Sequence, residues 1–168
     1  MVFMYNKGGK MKNILLFVLA IIISFIPGAV GMFFTPHESN NVWFNGLNNS
    51  LLTPDGWVFG FAWTILYLLL GIALFFIMKK PVKKVEDKIK SYCLFFVHMV
   101  LNAGWTLMFF GIQMPVLAML VLFTLTLISV WMACEFYKIS KTASILVWPY
   151  ILWLLFAMYL NFTILVLN

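Results

Sequence analysis

The sequence predicts an all-α integral membrane protein, a bundle of five transmembrane helices, and three observations carry that prediction. Of 168 residues, 64% are hydrophobic and only 10% are charged. The mean hydropathy of +1.03 exceeds what the core of a water-soluble domain of this size requires. Five stretches are also long enough to cross a hydrocarbon layer of about 30 Å, which takes about 20 apolar residues at 1.5 Å each. Finally, the lysines segregate. Lys7, Lys10 and Lys12 precede the first stretch, Lys79, Lys80, Lys83, Lys84, Lys88 and Lys90 separate the second from the third, and Lys138 and Lys141 separate the fourth from the fifth. Those eleven are every basic residue of the chain apart from its histidines.

The helices are expected at about 14–34, 57–78, 91–110, 115–137 and 143–167. Residues 1–13 would form an N-terminal tail and 14–168 a single transmembrane domain. Nothing resembles the short alternating strands of a membrane barrel, and unpaired backbone is excluded from hydrocarbon, so helices are the consistent choice. The first stretch has features of a signal peptide, with lysines, an apolar run from Ile14 to Ile26 and small residues at Gly28, Ala29 and Gly31. A retained span is the better account, since apolar residues continue to Phe34. Because the lysine-bearing connections belong on the cytoplasmic side, the N-terminus is expected inside and the C-terminus outside. An odd number of spans agrees with that.

The charge of +6 is thereby a topology signal. Lysines near a membrane surface attract anionic lipid, and no nucleic-acid-binding motif accompanies them. Cys93 and Cys134 fall inside spans, where free thiols behave as small apolar residues. Two cysteines and two histidines, widely separated, supply too few ligands for a metal site. No acid–base pair or activated nucleophile occurs in the spans. Coupled transport usually leaves an intramembrane Asp, Glu or Lys, and only Glu135, near the lysine-bearing end of its helix, answers to that.

Trp57, Trp131 and Trp148 sit near helix ends, as interfacial tryptophans do. Trp63, Trp105 and Trp153 lie deeper. At 100° per residue, His98, Asn102, Trp105 and Phe109 fall within about 60° on the third helix. Gly60, Trp63, Tyr67 and Gly71 share a face of the second, and Pro149, Trp153, Ala157 and Leu160 a face of the fifth, with Asn161 at its edge. Ser24, Gly28 and Gly31 line the first. Small residues permit close helix packing and amides can satisfy one another. Taken singly, Asn102 and His98 are best explained that way. Together, rings beside gaps on four helices can enclose a flat aromatic guest, with an amide for its polar edge.

Residues 35–56, "TPHESNNVWFNGLNNSLLTPDG", are the longest connection, long enough to suggest function or disorder. Five Asn, two Pro and two Gly favour turns, while Trp43, Phe44, Leu47, Leu51 and Leu52 favour cover. A folded lid and an interfacial anchor account for them equally well.

Four segments, "WFNGL", "TPDGWVFGFAWTILYLLLG", "LNAGWTLMFF" and "WPYILWLLFAMYLN", resemble, in order and spacing, the TspO/MBR family of tryptophan-rich sensory and translocator proteins. The resemblance covers Trp43 to Asn168, about three quarters of the chain. It implies a homodimeric receptor in the bacterial plasma membrane, or in the mitochondrial outer membrane of a eukaryote. Its ligands would be tetrapyrroles, protoporphyrin IX or haem, or benzodiazepine-type molecules, with no required cofactor. Carried over, Phe44 and Pro54 correspond to a lid, and Trp63, Asn102, Trp153 and Ala157 to a pocket wall. Trp105 and Tyr67 share the stripes that define the wall. A light-dependent degradation of protoporphyrin at Trp63 and Trp153 is a second function the resemblance implies, and porphyrin or lipid transport a third. The chain departs from the family in having Leu52 and Asp55 where the loop often carries Trp and Pro. His98 stands where relatives usually have Gln or Asn, which adds a potential haem-iron ligand. The helix face opposite Asn102 carries Gly104 and Gly111, a candidate dimer contact.

Overall fold

The structure, a computed structural model, describes residues 7–35 and 42–168. The first six residues of the expected tail, and residues 36–41 of the expected lid, lie outside the described residues. Among the described residues, five helices are long and apolar enough to cross a membrane. They are α1 (Lys7–Met32), α3 (Gly56–Lys79), α4 (Val85–Thr106), α5 (Pro115–Ile139) and α6 (Lys141–Leu167), with a single-turn helix α2 (Val42–Asn45) in the first connection. A π-helical turn, Leu107–Gly111, extends α4.

Helix boundaries differ from expectation, most at three helix starts. Helix α1 begins at Lys7, so residues 7–13 continue the span instead of forming a tail. Lysine is a good helix former, and its charge reaches water from a helix end. Helix α4 starts at Val85, six residues before Ser91, with Glu86 and Asp87 in its first turn. Acidic side chains there complement the exposed N–H groups. Helix α6 starts at Lys141, preceded by Ser140, whose Oγ accepts from the Ala143 N–H at 3.4 Å.

The helices close a ring in the order α1, α3, α6, α5, α4, each touching the next and α4 returning to α1. Small residues set the α1–α3 distance. A Cβ on Gly71 would lie 2.6 Å from the Ile21 side chain and 2.7 Å from Ser24 Oγ, and one on Gly28 would meet the Tyr67 ring at 2.7 Å. Gly31 faces Thr106 of α4 at 3.2 Å on the same measure. The Ser24, Gly28 and Gly31 face is therefore where α1 enters the ring. Gly104 and Gly111 do not share one open face. Nothing lies within 4 Å of a Cβ at Gly104, whereas Gly111 is against Leu107 and Phe34.

The lysine end is tied by charge. Glu135 is buried, yet its carboxylate meets Lys90 at 2.9 Å and Lys138 at 2.8 Å, and accepts from Trp131 Nε1 at 3.3 Å. Lys88 donates to the Met78 and Lys80 carbonyls beyond the C-terminal turn of α3. Cys93 and Cys134 are free and lie on the outside of the bundle. Glu135 is a clamp between α4 and α5.

Candidate ligand-binding site

At the opposite end, the first connection folds back over the bundle. Trp43 and Phe44 on α2 pack edge-on to Phe109, with ring centroids 5.6 and 6.2 Å apart, and Phe44 also meets Phe110 at 5.6 Å. Asn48 and Asn168 bind reciprocally. The Asn48 N–H donates to Asn168 Oδ1 at 2.8 Å, and Asn168 Nδ2 donates to the Asn48 carbonyl at 3.2 Å. Ser50 and Tyr159 share a hydroxyl contact of 3.0 Å. Residues 42–50 are thus strapped to the last turns of α6, and their apolar rings are covered by the π-helical turn.

That turn exists because the chain must end α4 and re-enter at Pro115, the first residue of α5. The Ile112 N–H reaches Leu107 O at 2.8 Å and the Met114 N–H reaches Met108 O at 2.9 Å. Gln113 takes a left-handed φ of 58°. The wider turn brings both Phe109 and Phe110 to the inside, where a regular helix separates neighbours by 100°.

Beneath α2 lies a cavity of about 570 Å³, within the range of small-molecule sites, about 300–1,000 Å³. Its wall is mostly apolar, with Phe44, Pro54, Phe59, Trp105, Phe109 and Ala157 prominent. Phe44, Pro54, Trp105 and Ala157 are the sequence-derived site residues that the structure brings together here.

The deep residues are placed differently. Trp63, Tyr67, Asn102, Trp153 and His98 do not line this cavity. Trp153 is one ring below it, since Phe59 lies on the wall and its ring is 5.9 Å from Trp153. Trp63 comes next, 6.4 Å from Trp153 and stacked on Tyr67 at 5.4 Å. Asn102 holds two tyrosines: Tyr67 donates to its Oδ1 at 2.8 Å, and its Nδ2 donates to the Tyr150 hydroxyl at 2.6 Å. With both ends of its amide used, Asn102 joins α3, α4 and α6 in the manner of a bolt. His98 is fully buried, its ring 4.8 Å from that of Tyr150. It is enclosed by the bundle, away from the cavity, which is no position for a haem-iron ligand.

Two of the described lining residues each carry a buried polar atom without a partner. Asn161 is 2% exposed. Its Nδ2 donates to the Pro115 carbonyl at 2.9 Å, and its Oδ1 is buried without a partner. Since a carbonyl only accepts, this bond fixes the amide orientation and leaves the oxygen as the free end. Trp105 Nε1 is also buried without a partner. Phe59 and Phe110 are wall residues that sequence reasoning missed. Phe59 is only about 40° from Trp63 around α3, a readable signal. Phe110 carried none, because its position depends on the π-helical turn. Trp57, expected as a plain interfacial residue, lines the cavity while remaining largely exposed.

This geometry can be set against known proteins. Residues 17–167 match the sequence profile of the TspO/MBR family. The chain belongs to the TspO/MBR family. It is similar to the tryptophan-rich protein TspO of Archaeoglobus fulgidus, 36% identical over 93% of this chain and 99% of that protein. The tryptophan-rich protein TspO of Chlorobaculum tepidum is 37% identical over 94% and 98%. The human translocator protein is more distant, 27% identical over 76% of each chain. The TspO/MBR match takes in α1 from residue 17 onwards, the α2 connection and the four other transmembrane helices, so the cavity lies wholly within the family's own region. A second hollow, about 520 Å³, opens between α1, α3 and α4 and is lined by groups such as Ile26, Phe96 and Met99. None of the buried unpartnered polar atoms belongs to its lining.

Proposed function

We propose that this TspO-type membrane protein is a receptor for flat, largely apolar ring ligands of the tetrapyrrole class, porphyrin or haem among them, held in the cavity under α2. The observation that carries the reading is the cavity itself, an aromatic-walled space beneath a strapped cover. Flat rings pack well between aromatic side chains in offset or edge-on contact. Lysine segregation assigns the covered end to the outer side, so ligand enters from there.

The test is a titration of purified protein in lipid nanodiscs with protoporphyrin IX dimethyl ester, followed by its absorbance shift, with empty nanodiscs as the partition control. Saturable binding is expected, and Ala157→Trp, which fills the space, should abolish it. Binding unchanged by that substitution would place the ligand elsewhere.

Light-dependent porphyrin degradation is favoured by one specific observation: Trp153 is a single ring from the cavity wall, with Trp63 behind it. The bound porphyrin would absorb the light and dissolved oxygen would be the oxidant, with the protein supplying position. Porphyrin absorbance should then fall faster with protein than in free solution, and Trp153→Phe should slow the loss. Equal loss with and without protein would remove this function and leave binding intact.

A further inference from the structure

We propose that the groove between α1, α3 and α4 binds one anionic phospholipid of the lysine-side leaflet, with an acyl chain along the groove and the phosphate at the lysines that follow α3. The inference is independent of the ring cavity at the other end of the bundle.

The groove forms where two helices part. Helices α1 and α4 approach at Gly31 and Thr106, where a Cβ on the glycine would lie 3.2 Å from the threonine hydroxyl. On the lysine side of that contact the facing residues are bulky, Ile23, Ile26 and Val30 against Phe96, Met99 and Val100, and about 520 Å³ is left open. Ile26, Phe96 and Val100 are at least half exposed. All three belong to membrane-spanning helices, so the groove opens sideways to lipid.

Its dimensions select the occupant. The lining runs along α4 from Tyr92 to Ala103, which is about 16 Å of helix. That is close to the depth of one leaflet, half of a hydrocarbon core of about 30 Å. Divided by that length, the volume gives a mean cross-section of about 30 Å², against about 80–110 Å² for a helix 10–12 Å across. An acyl chain has the right length and girth, whereas a whole helix is too broad to enter.

Charge at the mouth selects the headgroup. Met78 and Tyr92 line the lysine end of the groove. Lys88 Nζ donates to the Met78 carbonyl at 2.9 Å and to the Lys80 carbonyl at 3.1 Å, which fixes an ammonium beside that end. Among the described residues no carboxylate pairs with Lys88, since both ion pairs, from Lys90 and Lys138, go to Glu135. A third N–H of Lys88 remains for a phosphate oxygen. Lys80, Lys83 and Lys84 are exposed in the same connection. Basic pockets beside transmembrane helices recognise anionic lipid headgroups.

The test uses the full chain in phosphatidylcholine nanodiscs doped with phosphatidylglycerol or phosphatidylcholine that carries a mid-chain diazirine, with labels mapped by mass spectrometry. Phosphatidylglycerol should label residues 95–103 and 23–30 and be competed off by its unlabelled form. At low salt it should exceed phosphatidylcholine there by about three- to tenfold, and high salt should erase most of that preference. The outward residues Leu120, Phe123 and Leu127 of α5 are the reference, where labelling by either lipid should resist competition. Lys88→Gln should lower the preference, and so should Lys83→Gln combined with Lys84→Gln, a pair that leaves the bonds to the α3 carbonyls intact. Val100→Trp should remove the competable groove label. Equal labelling by the two headgroups, or groove labels that resist competition as those on α5 do, would overturn the inference. So would a groove free of lipid label because a second copy of the chain covers it. None of these readouts depends on ring binding, so failure of the porphyrin titration would leave this inference standing.

Discussion

Asn102 and Asn161 are both buried asparagines, and the hydrogen bonding of their two amides is opposite. In the middle of the bundle, Asn102 is gripped by Tyr67 and Tyr150, and the surrounding rings of Trp63, Trp153 and His98 fill the space. At the covered end, Asn161 has one end of its amide bound and the other buried without a partner. An intramembrane amide is therefore not in itself evidence of a binding site. What distinguishes the two is whether the amide's hydrogen bonds are completed within the chain. The two hollows also differ, since none of the buried unpartnered polar atoms belongs to a residue that lines the groove between α1, α3 and α4.

Substitutions can break or sharpen this contrast, and the largest effect belongs to the hollow. Ala157→Trp should abolish saturable ring binding in the nanodisc titration while leaving the thermal melt close to wild type, because the new ring occupies empty space. Asn102→Leu should do the reverse. It strands two tyrosine hydroxyls, at a cost of about 1–3 kcal/mol, so the melting temperature measured in detergent should fall by several degrees. Ring affinity should change less than it does with Ala157→Trp. The smallest effect is on the cover. Asn168→Ala removes both side-chain bonds to the Asn48 backbone, and the dissociation rate followed by stopped flow should rise by about two- to fivefold. Equilibrium affinity should move in step if the association rate is unchanged.

Much of the architecture was legible in the sequence. Five apolar stretches and a one-sided distribution of lysine specify the helices, because hydrocarbon thickness sets their length. The stripes on α1 and α3 were also legible: Gly28 and Gly71 lie where those two helices approach most closely. Periodicity was less informative about depth. Trp63, Asn102 and Trp153 share the inward faces from which they were selected, yet a helical face extends the full height of the bundle and does not say which level is hollow. That depends on where side chains from other helices fill in. Phe59 caps Trp153, and the two tyrosines consume the amide of Asn102. The π-helical turn was not legible at all, since Leu107–Gly111 has the composition of an ordinary apolar helix and its geometry arises from the re-entry at Pro115. Asn161, placed at the edge of its stripe by angle alone, becomes the free acceptor through a bond to α5 that spacing within α6 does not reveal.

The central claim is that ring ligands occupy the space between α2, the π-helical turn and the end of α6. Photo-cross-linking tests it most directly, using the porphyrin dimethyl ester derivatised with a diazirine in nanodiscs, with peptide mapping by mass spectrometry. The account predicts labels within residues 105–110 and 157–164, suppressed by excess unmodified ester and by Ala157→Trp. Saturable labels confined to the groove, around Phe96 and Met99, would contradict it.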